Sequence, residues 1–121
     1  HPQAESTIAL YSKTRQLTLQ IPIKLFAENR FTASEEKVIG HVLQSISKHC
    51  DQMLLDLQTL LEKDQLNLSD SDQLSQIHDQ MLEAYGYTIL FYQNCQNLSL
   101  SRQNETQAIE HHKSLFVPSQ D

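Results

Sequence analysis

SDQLSQIHDQMLEAYGYTILFYQNCQNL, residues 71–98, steps forward by alternating threes and fours through Leu74, Ile77, Met81, Ala84, Thr88, Phe91, Cys95 and Leu98. That spacing is the seam of a helix packed lengthwise on another. A second row, His78, Leu82, Tyr85, Ile89 and Tyr92, runs beside it. Successive helical residues sit about 100° apart, so the two rows merge into one broad apolar face. A face that broad must meet more than one neighbour, which predicts the central helix of a bundle. Tyr85 to Tyr92 locally prefers strand, but the seam passes through it unbroken and predicts helix.

Toward the N-terminus, Thr32 and Glu35 have the spacing of a reciprocal capping box and open a helix over 33–63. Its seam is Ile39, Leu43, Ile46, Cys50, Met53, Leu57 and Leu60, which predicts shallow-angle packing against 71–98. Gly40 inside it costs about 1 kcal/mol relative to Ala, so a close neighbour is expected there. Residues 64–70 form the hairpin connection, with Asn67, Ser69 and Asp70 capping the next helix.

The first segment reads less cleanly. A frayed end is expected over 1–5, then a helix over about 6–28. Leu17, Leu19, Ile21, Ile23 and Leu25 alternate with Thr18, Gln20, Pro22 and Lys24, a strand-like pattern. No other segment offers that strand a partner, so a helix kinked at Pro22 is favoured. At the other end, Asn97 to Ser101 is expected to break the chain. A last helix over 102–116 carries Ala108, Ile109, His112, Leu115 and Phe116, and Pro118 stops it. The fold expected is therefore all-α: one domain spanning 1–121, a four-helix bundle-like layout with a long antiparallel central hairpin.

Composition supports that class. The 121 residues include two glycines and three prolines, too few turn formers for a β-rich chain. The formal charge is −6, and the nine basic residues form no run or face. Nucleic-acid binding and attraction to anionic lipid are therefore not expected. No apolar run approaches the roughly 20 residues of a membrane span.

Cys50 and Cys95 fall on seams. In the expected hairpin they lie roughly 18 Å apart along the helices, beyond the reach of a disulfide at about 7 Å. Two free thiols suggest a reducing, cytoplasmic compartment. A secreted or periplasmic protein is the alternative, because the chain opens with His1 and not Met, and three of its five asparagines sit in Asn-x-Ser/Thr patterns. Those three, Asn67, Asn97 and Asn104, fall where caps and turns are expected, and capping is the favoured reading.

Catalytic patterns are missing. No glutamate is followed three residues later by histidine, and no two histidines stand four apart, so the helical di-metal and zinc spacings are absent. His49 with Met53, and His78 with Met81, are read as core methionines beside histidines, not haem ligands. His111-His112 is read as an exposed pair near a helix end, not a metal site. His49 and Cys50 are adjacent, point about 100° apart and cannot form a thiol–base pair. No enzyme activity, metal or cofactor is expected.

The aromatic residues carry the functional reading. Tyr85, Tyr87, Tyr92 and Phe26 are the candidate partner-binding residues, with Tyr87 off both seams. The expected function is a non-catalytic protein–protein interaction module, an adaptor, regulator or chaperone-like bundle, homodimeric and binding a helical protein segment. One alternative is a sensor enclosing a small apolar ligand among Met81, Phe91 and Tyr92. Another is a secreted, glycosylated helical signalling protein.

Overall fold

The computed structural model describes residues 1–117 and contains three helices: α1 Pro2–Phe26, α2 Ala33–Leu61 and α3 Leu68–Phe116. Among the described residues there is no strand. Helix α2 runs antiparallel to α3, as expected. Helix α1 runs parallel to α3, since Gln3 reaches Ser75, Thr7 reaches His78 and the Arg30 carbonyl reaches Arg102.

α1 starts earlier than the sequence suggests. Pro2 occupies the first turn, where its missing N–H costs nothing, and the His1 ring accepts a hydrogen bond from the Gln3 amide at 3.2 Å. Ala4 is buried in the same apolar cluster as Leu57 and Leu60. Packing thus holds down the end that was expected to fray. The helix passes through Pro22 without a break. Burial explains why the alternating pattern fails as a strand: Thr14, Thr18, Ile21 and Leu25 face inward at helical spacing, while Leu19 and Ile23 are exposed.

α2 opens on the expected box. Thr32 Oγ1 accepts the Glu35 amide at 3.1 Å, and the Thr32 amide donates to Glu35 Oε1 at 2.8 Å. The turn into α3 repeats the device. Asn67 Oδ1 accepts the Asp70 amide at 2.8 Å, and the Asn67 amide donates to Asp70 Oδ2 at 3.1 Å. Lys63 Nζ also donates to Asp70 Oδ1 at 2.6 Å. The Lys63 ammonium, and then the Asn67 amide, hold the buried Asp70 carboxyl below its usual range.

The fourth helix is corrected: residues 97–101 do not break the chain, and 71–98 and 102–116 belong to one 49-residue helix. Asn and Ser cost only tenths of a kcal/mol in a helix, whereas Gly and Pro, both absent here, cost about 1 and 3. Asn97 and Asn104 are consequently exposed mid-helix side chains; only Asn67 caps. α3 ends at Phe116 with Val117 as its cap, and the expected stop at Pro118 lies outside the described residues.

Two apolar clusters make the core. One joins Ala4, Cys50, Met53, Leu57, Leu60, Leu74, Ile77 and Met81; the other joins Ile21, Leu25, Phe31, Ile39 and Leu43. Between them the buried positions are threonines. Thr14 and Thr88 give their hydroxyl protons to carbonyls four residues back, and Thr18 to the Arg15 carbonyl three back. That leaves only the methyl for packing. The expectation of a close neighbour at Gly40 is overturned: nothing lies within 4 Å of where its Cβ would be, and the same holds at Gly86. Gly40→Ala and Gly86→Ala are each expected to stabilise the chain by about 1 kcal/mol, raising the midpoint of a calorimetric melt by roughly 4 °C.

Candidate functional site

Residues of α2 and α3 line an apolar groove that runs along the junction of the two helices. Its widest part, about 540 Å³, is lined by Lys37, Val38, His41, Val42, Ile46 and Tyr87. Toward the hairpin turn it continues over His49, Gln80, Glu83 and Ala84. Toward the other end it reaches Phe31, Ile39, Cys95 and Leu98. Val38 is 63% and Tyr87 54% exposed. The groove exists because Val38 and Val42 extend the apolar face of α2 beyond the seam, on a side where α1 does not reach.

The four sequence-predicted residues do not form one surface. Tyr87 lies in the groove and stacks on Phe91 with ring centroids 6.4 Å apart. Phe26 and Tyr92 pack against the Ile21–Leu43 cluster, Phe26 edge-on to Phe31 at 6.2 Å. Tyr85 is half-buried, and two residues of helix turn it about 200° from Tyr87. The residues named for an enclosed ligand also separate, Met81 into one cluster and Phe91 and Tyr92 into the other.

Sequence reasoning missed two polar constellations. At the far end of the groove, Arg102 grips Glu35 with both guanidinium nitrogens, at 2.8 and 2.7 Å, donates to the Arg30 carbonyl at 2.9 Å, and covers the Phe31 ring at 5.6 Å. This fork, helped by the Thr32 amide, lowers the Glu35 pKa from 4.5 to about 2. The pairing spans 67 residues, and nothing in its local spacing announces it.

The second constellation bridges α1 and α2. Tyr11 donates to Asp51 at 2.6 Å, Arg15 Nε lies 3.2 Å from the same oxygen, and Arg15 also donates to Ser47 at 2.7 Å. Donation to Asp51 raises the Tyr11 pKa. These groups satisfy one another and leave no unpaired acid or base. Cys50 beside them is buried, and that burial pushes its thiol pKa up. It stays protonated and packs, while His49 faces the groove.

Cys95 is half-buried in the other cluster, and both thiols are unbonded. Thr7 spends its one hydroxyl proton on the Gln3 carbonyl at 2.7 Å, so His78 Nδ1, 2.9 Å from Thr7 Oγ1, carries the proton of that contact. Met81 and Met53 are buried in the core. Among the described residues no three His, Cys, Asp or Glu side chains gather as metal ligands, and no helix is long and apolar enough to cross a membrane. The chain matches no protein-family model, no curated protein and no solved structure.

Proposed function

We propose that this chain is a non-catalytic interaction module, and that the α2/α3 groove receives an amphipathic helix from a protein partner. The observation that carries the reading is the exposure of Val38 and Tyr87 at the lips of an apolar trough. A helix laid there would complete a four-helix arrangement and cover those side chains. Tyr87 is the expected anchor, since an aromatic ring seated in a groove and freed from water carries much of such binding energy.

The test compares wild type with Tyr87→Asp and Val42→Asp in co-purification from native-host extract, followed by mass spectrometry. Loss of one captured protein in both variants, with unchanged helical circular dichroism, is the expected result. Unchanged capture would reject the groove. A gentler variant, Tyr87→Ala, is expected to weaken association at least tenfold, a loss of about 1.4 kcal/mol.

A further inference from the structure

Helix α3 outruns the rest of the molecule. Arg102 is its last tie to α1 and α2, and every residue from Asn104 to Val117 is exposed. The overhang, residues 103–116, is about 21 Å long. Ile109 is 67% and Phe116 78% exposed on it. At 100° per residue, Tyr87, Phe91, Leu98, Ile109, His112 and Phe116 fall within about 60° of one another. The groove face of α3 therefore continues, on the same side, along the overhang.

We propose that the groove's occupant is the α3 overhang of a second copy of this chain, the two third helices packing antiparallel about a two-fold axis near Leu98. The proposal rests on the groove reading given above. A two-fold axis at residue 98 pairs positions whose numbers add to 196. Ile109 of the second copy then meets Tyr87, its His112 meets Ala84, and its Phe116 meets Gln80. Those three positions line the lower groove with Ile46 and His49. The same register sets Glu105 of the second copy at the level of Phe91, where His41 and Lys37 border the groove. By symmetry each copy gives one overhang and one groove, so the contact closes and does not propagate into a filament.

The size of the contact is sufficient. A helix of about 11 Å diameter sunk to half its girth over about 21 Å, with its groove, removes on the order of 700 Å². Two such contacts reach on the order of 1,400 Å², inside the 1,200–2,000 Å² range of specific interfaces. The overhang is held only by propagation from the packed part of α3, and a second copy would supply the packing it lacks.

Sedimentation equilibrium of the whole chain over about 1 to 100 µM decides the question. A dimer is expected, and the double variant Ile109→Asp, Phe116→Asp should weaken it at least 100-fold, since both residues are exposed within one copy and their loss leaves the fold intact. In a Cys95→Ser background, Leu98→Cys should form a disulfide-linked dimer on mild oxidation. Cys50, wholly buried, does not compete. A monomer at about 100 µM, a dimer indifferent to the double variant, or a dimer without the Leu98→Cys crosslink overturns the proposal. If the chain is monomeric yet Tyr87→Asp still loses a captured host protein, the occupant is wrong and the groove stands; if Tyr87→Asp changes nothing, both fall.

Discussion

Leu57→Ala is expected to lower the unfolding free energy by about 3 kcal/mol and the melting temperature by roughly 12 °C. Leu57 is completely buried among Ala4, Met53 and Leu60 of α1 and α2 and Leu74, Ile77 and Met81 of α3. Truncation removes the transfer free energy of the lost carbons and leaves a cavity that surrounding helices fill only in part. Leu55, two residues away on the same helix, is 57% exposed, and Leu55→Ala should fall within about 0.5 kcal/mol of wild type. Urea melts of the two variants give the comparison. Equal losses would mean that the inward face of α2 is misplaced.

Arg102→Ala is expected to raise the Glu35 pKa from about 2 most of the way back toward 4.5. It should stop short, because the Thr32 amide still donates to the carboxylate. Wild-type Glu35 releases its proton more readily when folded than when unfolded. Its contribution to stability is complete above about pH 4.5 and disappears as the pH falls through about 2. In Arg102→Ala that window narrows, so the variant loses less stability on acidification than wild type does, from a lower starting point. Carbon-detected NMR titration of the Glu35 carboxyl reads the shift directly. A Glu35 value still near 2 would show that Arg102 is not its main cause. Amide exchange around residues 98–106 should quicken in the same variant, because the last tie holding α3 to the N-terminus of α2 is gone.

These two sites differ in how much of them can be read without a structure. Leu57 sits on a regular seam from Ile39 to Leu60, and the buried residues of α2 follow that seam closely. Both capping boxes are equally local, since Thr32 with Glu35 and Asn67 with Asp70 lie three residues apart. Arg102 and Glu35 meet only because α3 continues past residue 98, where the local sequence predicts a break. Asn97, Ser99 and Ser101 look like punctuation, but each is only a mild helix former, and no Gly or Pro reinforces them.

The groove was half visible. Tyr87 stood out for lying off both seams, and it lines the trough. Val38 and Val42 did not, because two valines beside a seam look the same whether a neighbour covers them or not. Phe26 and Tyr92 share only their aromatic character with Tyr87: both pack against the Ile21–Leu43 cluster and neither lines the widest part of the trough.

Local chemistry was enough to specify helices, their caps and the inward face of α2, because each depends on residues within a turn or two of one another. Two matters depended on long-range packing instead: the partnership of Arg102 with Glu35, and the groove left between α2 and α3. Both follow from how the helices sit together, with Arg102 tying α3 to the start of α2 and α1 running parallel to α3. No short stretch of the chain encodes that placement; it emerges from the summed burial of residues some seventy positions apart.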